Sequence, residues 1–344
     1  MKLFLIYTII IAALVYIYSS RASLYTKFMS KEQTGILKGF AILTVLWAHS
    51  GMNYGVHGIQ WIAGIGVALF LVFSGYGLSE SFKKNGLKDF WKKRFVGVVI
   101  PFYIVYFIGT LVMNHSINLH QAVNILLMQD VNWYIQYIII SYVIYWFVTM
   151  ISEKFNFTNS QKFIFLVVCF IIWFFIDTFY FAMPDDPFLR ARQMLSFPFG
   201  VLVSNHLETV NDFFRKQKNI KYFMLIAFVG IFSLGITQFS FFKNNSYLLL
   251  NSLSLLTILP LTIFVIWLST NFKVLFNSKF LLFTGSISYE LYLVQAFSRK
   301  VIIQDSFMTL LFFLIITFAI SYILKQLFNK FISKQLLLKL KNIS

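Results

Sequence analysis

The chain has 344 residues, 59% of them hydrophobic and only 12% charged, with a formal net charge of +17 and one cysteine. Soluble domains carry about 25% charged residues, so this composition excludes an ordinary soluble fold. Cys169 has no partner, which excludes a disulfide framework and a cysteine-based metal site.

Apolar runs recur from end to end at the length of membrane helices. Taken in chain order they predict eleven spans, at 3–19, 36–50, 59–79, 95–113, 132–151, 162–182, 190–205, 221–240, 247–269, 279–299 and 307–327. The fold class expected is therefore all-α, a polytopic membrane helical bundle. The first span has one lysine before it and three basic residues after it, the reverse of a cleaved secretory signal, so it reads as an anchor helix. The long connection at 113–132 mixes polar residues with Ile125, Leu126, Leu127 and Met128, and is expected to form a short interfacial helix. A basic amphipathic tail closes the chain. The division expected is an anchor and linker at 1–34, one membrane domain at 35–327 and the tail at 328–344.

Charge gives the orientation. All but six of the 29 Lys and Arg fall in alternate connections, the exceptions being Lys2, Arg190, Arg192, Lys243, Arg299 and Lys300. Basic residues stay cytoplasmic during insertion, so the amino terminus is expected outside and the carboxyl terminus in the cytoplasm. The basic excess is a topology signal; no nucleic-acid partner is expected, and nothing speaks to oligomeric state.

Within the second span, "KGFAILTVLWAHSG" (38–51), Lys38 and His49 stand eleven positions apart. That is three turns plus about 20°, a rise of about 16 Å, so both project from one face. Lys38 falls at the cytoplasmic boundary and His49 well inside the membrane. Lys38 alone reads as a snorkelling helix end. His49 has two readings, a hydrogen-bonding interfacial histidine or a functional group able to accept a proton near neutral pH. The third span carries Gly64, Gly66, Gly75 and Gly77 with Ser74, which suits close helix packing or passage of a thin ligand.

With these residues in hand, the chain resembles the acyltransferase-3 family of integral membrane acyltransferases. Lys38…His49 matches its basic residue, ten residues, then histidine. Phe70–Leu71–Val72–Phe73–Ser74–Gly75–Tyr76 is similar to its Ser-Gly-aromatic motif. "FWKKRFVGVVIPFY" (90–103), "NWYI" (132–135), "LSFPFGVLVS" (195–204) and "GSISYELYLVQ" (285–295) follow in order, so the likeness spans about 35–325. The departures are specific. Lys38 stands for a usual arginine, Val98 for another, and Gln295 for a frequent histidine. The first helix is expected to be additional to the family's ten, and no extracytoplasmic hydrolase-like domain of the kind some relatives carry is expected.

The resemblance implies transfer of an acyl group, most often acetyl, from acyl-coenzyme A to a hydroxyl of a cell-surface glycan or its lipid-linked precursor. The donor is a substrate; no permanently bound cofactor and no metal are expected. Carried over residue by residue, His49 is the general base or an acyl-accepting nucleophile. Lys38, Lys92, Lys93 and Arg94 face the donor's phosphates, and Ser74 and Gly75 line its pantetheine arm. Asn132, Trp133 and Tyr134 are either acceptor-binding residues or interface anchors, with Tyr289 and Gln295 near the acceptor. Glu290 either orients His49 or Lys38 or forms a structural ion pair. A bacterial plasma membrane is the expected location. A lipid-linked glycan flippase or a glycan polymerase would explain the helices equally, though no internal repeat supports a transporter.

Overall fold

The computed structural model describes residues 2–128, 133–180, 190–245, 247–301 and 306–333. The chain opens with α1 (Lys2–Ile17), α2 (Lys31–Asn53) and α3 (Gln60–Asn85). Next, α4 (Phe90–Arg94) continues through a π-helical stretch, Phe95–Val99, into α5 (Ile100–Asn114). Then come α6 (Leu119–Leu126), α7 (Trp133–Lys154) and α8 (Asn159–Tyr180). A 3-10 turn at Ala191–Gln193 precedes α9 (Ser196–Asn205), α10 (Leu207–Arg215) and α11 (Ile220–Ile236). The chain goes on with α12 (Ser240–Asn245), α13 (Tyr247–Asn271), α14 (Lys279–Ser286), α15 (Ser288–Ser298) and α16 (Phe307–Leu327). Among the described residues no strand occurs beyond one isolated bridge between Ser19 and Ser278.

This is an all-α, multi-pass membrane bundle. Seven helices are long and apolar enough to cross a membrane, and two bent pairs raise the number to nine. A helix lies on each of the eleven predicted stretches, but not each is a straight span. α1 has 16 residues. The stretch at 279–299 is broken at Ile287, where α14 and α15 meet at 76°.

The stretch at 190–205 departs most, since its helix has only ten residues. It compensates by lying along α3. Gln193 Nε2 donates to Gly64 O at 3.0 Å near one end of α3, and Ser204 Oγ reaches Glu80 Oε1 at 2.6 Å near the other. Between them the two backbones touch, because Gly75 faces the Phe197 carbonyl and Gly200 faces the Val72 carbonyl. A second glycine seam joins α2 to α14 through Gly35, Gly39 and Gly285. Small residues are what allow this approach.

Local chemistry fixes the remaining connections. In the 113–132 connection α6 is the expected short helix, closed by a capping box in which Asn118 and Gln121 satisfy each other's backbone N–H groups. Pro101 lies in the first turn of α5 and has no N–H to return to the preceding turn, and the helix widens to the π form just before it. The linker after α1 is tied to the far end of the chain. Asn277 binds the backbone at Ser20, Ala22 and Leu24, and Tyr25 OH donates to Ser269 O at 2.5 Å. Trp47 Nε1 donates to Thr8 Oγ1 at 2.8 Å, so α1 packs directly on α2.

Candidate active site

α2 places its two notable polar residues at different levels of the bundle. Lys38 lines a cavity of about 140 Å³. α3 contributes Phe70 and Ser74 to its wall, α7 contributes Tyr134, Ile138 and Tyr142, and α15 contributes Ser288, Tyr289 and Tyr292. These residues come together because α2 lies against α3, α14 and α15, and the break at Ile287 turns the start of α15 toward Lys38. Val98 closes the wall, and its carbonyl accepts a hydrogen bond from Tyr289 OH at 2.7 Å. Tyr134 and Tyr292 meet edge-to-face with centroids 5.0 Å apart. No ion-pair partner for Lys38 is present among the described residues.

A second, more apolar cavity of about 360 Å³ adjoins the first. Its lining includes Trp91, Lys92, Arg94 and Phe95, and it shares Val98 and Tyr142 with the Lys38 cavity. Arg94 is stacked on the rings of Phe90 and Tyr142, 5.6 Å from each centroid, and its Nε is buried without a hydrogen-bond partner. Lys92 pairs with Asp89 at 3.6 Å. Two cavities that share Val98 and Tyr142 thus lie between a basic helix and the ammonium of Lys38.

His49 lies further along α2 and is half-buried. Its Nδ1 is 3.3 Å from Gln295 Oε1. With the amide oxygen toward the ring, Nδ1 carries the proton and donates, and the lone pair of Nε2 is left for chemistry. Gln295 is only 4% exposed, so the pairing is shielded from water.

The sequence-predicted residues therefore divide. Lys38, Ser74, Tyr134 and Tyr289 line one cavity; Lys92 and Arg94 line its neighbour; His49 and Gln295 form a pair; Lys93 lines neither cavity. Gly75 is taken up by α9, since a side chain there would run into the Phe197 backbone, so a ligand path along this helix has Ser74 but not Gly75. Trp133 packs on Tyr134 and Tyr137. Glu290 is 3% exposed and pairs with Lys325 at 3.2 Å rather than with His49 or Lys38. Asn132 lies outside the described residues.

Sequence reasoning missed Tyr142, Tyr292 and Lys325. Tyr134, Ile138 and Tyr142 recur every four positions, a single-face signal that could have marked the cavity wall. Lys325 offered no such signal, because a lysine in the last turn of a membrane helix looks like an anchor.

Comparison with known proteins assigns the chain to a family. A search of curated proteins and a search of solved structures each gave no match. A family model described as "Acyltransferase domain" matches residues 35–326. That segment begins just ahead of Lys38 and ends just after Lys325, leaving α1 and its linker outside. The chain belongs to the acyltransferase-3 family and is a multi-pass membrane acyltransferase.

Proposed function

We propose that this acyltransferase moves an acyl group, acetyl in the first instance, from acyl-coenzyme A to a hydroxyl of a cell-surface glycan or its lipid-linked precursor. In this reading the Lys38 end of the bundle faces the cytoplasm of a bacterial cell. The observation that carries the reading is the placement on one helix of an ammonium facing an open cavity and, about 16 Å further along, an imidazole paired through Nδ1 with Gln295.

The donor poses two requirements, a home for its phosphates and a path for its arm. Lys38, Arg94 and Lys92 meet the first, because ammonium and guanidinium groups bind phosphate through charge-assisted hydrogen bonds. The uncapped start of α15, whose Ser288 and Tyr289 line the cavity, adds backbone N–H groups and the positive end of a helix dipole. Pantetheine is about as long as four extended residues, roughly 14 Å, which is close to the separation of Lys38 from His49. The thioester would then arrive beside the imidazole.

His49 Nε2 removes the proton from the acceptor hydroxyl as its oxygen attacks the thioester carbonyl. The tetrahedral adduct collapses with cleavage of the C–S bond, the sulfur leaves as thiolate, and the imidazolium returns the proton to it. Ester and free coenzyme A are the products. A thiol of pKa about 8.5 is a good leaving group, so positioning and one base suffice.

His49→Ala should abolish acyl transfer while insertion and abundance stay normal. Full activity in that variant would overturn the mechanism. Glycan from a deletion strain should be lighter than wild type by one acyl group per modified unit, and equal masses would overturn the acceptor assignment.

A further inference from the structure

We infer that Lys325, on α16, is a positioning residue for the donor site: by holding Glu290 it keeps that carboxylate off Lys38 and leaves the Lys38 ammonium open to a phosphate. The inference rests on the acyl-coenzyme A reading above.

Three consecutive residues at the start of α15 serve two different places. Ser288 and Tyr289 line the Lys38 cavity. Glu290 points instead to α16, where Oε1 lies 3.2 Å from Lys325 Nζ. The other carboxylate oxygen, Oε2, is buried and has no hydrogen-bond partner. A buried carboxylate with an uncovered oxygen draws strongly on any cation near it. Lys38 is the cation that shares its cavity with Ser288 and Tyr289, the two residues just before Glu290.

The cluster therefore holds two ammonium groups and one carboxylate, and its surplus positive charge belongs to the residue that faces the cavity. Were Glu290 free to turn to Lys38, the cavity would become electrically neutral and would lose its attraction for an anion. Lys325 thus acts on the donor without touching it. A mere tether between α15 and α16 would require none of this, and the two roles separate in kinetics.

The test measures KM for acetyl-coenzyme A and kcat on the full-length protein in membranes, with thermal midpoints for every variant. Lys325→Met should raise KM about tenfold or more, the usual scale for uncovering one member of a buried charge pair, and leave kcat nearly unchanged. Glu290→Gln should lower KM, because Lys325 then adds its charge to the site. Lys325→Met combined with Glu290→Gln should return KM to within about twofold of wild type, since the competing carboxylate is gone. An unchanged KM in Lys325→Met would overturn the inference, as would failure of the double variant to restore KM while its midpoint stays normal. Lys38→Ala, measured alongside, separates this from the underlying reading. If Lys38→Ala leaves KM unmoved, the donor assignment itself is wrong; if it raises KM while Lys325→Met does not, only the role of Lys325 is wrong.

Discussion

Replacing Gly39 with alanine tests whether the seam between α2 and α14 sets the geometry of the site. A Cβ at Gly39 would lie 2.8 Å from the Leu281 carbonyl carbon and 3.0 Å from the Gly285 nitrogen, and would overlap the Leu281 oxygen. Carbon atoms in contact normally sit about 3.5–4.0 Å apart, so the two helices must separate by about 0.7 Å or more. Every clashing atom belongs to helical backbone, so no side chain can rotate away to relieve the overlap. Overpacking of this kind costs about 1–3 kcal/mol. The displacement also reaches the chemistry. Lys38 is the neighbouring residue, and α14 leads directly into α15 with Ser288, Tyr289 and Gln295. A misplacement near 1 Å lowers rate about 10²-fold, so Gly39→Ala should show a lower thermal midpoint in detergent and kcat/KM reduced about a hundredfold. Gly77→Ala is the matched control, because nothing lies within 4 Å of a Cβ there. Wild-type melting together with wild-type kcat/KM in Gly39→Ala would refute the argument.

Three further outcomes follow from single contacts. Gln295→Leu removes the acceptor that holds the His49 Nδ1 proton and should lower kcat about tenfold or more with little change in KM; Gln295→Glu keeps an acceptor and should recover most of the loss in the same assay. Arg190 bridges Asp177 at 3.4 Å and Gln136 at 2.7 Å. Arg190→Met leaves the buried Asp177 uncompensated and should destabilise the protein by about 3 kcal/mol, read as a fall in thermal midpoint that Asp177→Asn partly reverses. In the linker, burial pushes the Tyr25 hydroxyl up to about 12 from about 10 in an unfolded chain. The fold holds the neutral phenol, so this contribution is whole below pH 10 and is lost as pH climbs toward 12; Tyr25→Phe should flatten the alkaline fall in thermal midpoint between those limits.

Much of this architecture was legible in the residues. Apolar run length and the alternation of basic connections depend only on local sequence, and a helix formed on each predicted stretch. The pairing of Lys38 with His49 on one helix was legible for the same reason, since both lie on one rigid element. What the sequence could not reveal were choices made by distant partners. Gly75 suits a ligand or a helix equally well, and only the approach of Phe197 in α9 decides for the helix. Glu290 could orient His49 or Lys38 or form a structural ion pair in the linear reading, and the packing of α16 gave it Lys325, which no motif contained. The run at 190–205 looked like any other span because composition does not report the neighbour against which a helix of only ten residues packs.

That short helix bears on how the protein is made. An insertion apparatus that judges segments one at a time by apolar length would pass over α9, whose ten residues rise only about 15 Å. Its seat in the bundle therefore depends on α3, already in place and offering the Val72 carbonyl to Gly200 and Gly75 to the Phe197 carbonyl. A bulky residue at Gly200 would do more than loosen packing: a share of newly synthesised chains would leave α9 undocked and the small-residue face of α3 uncovered.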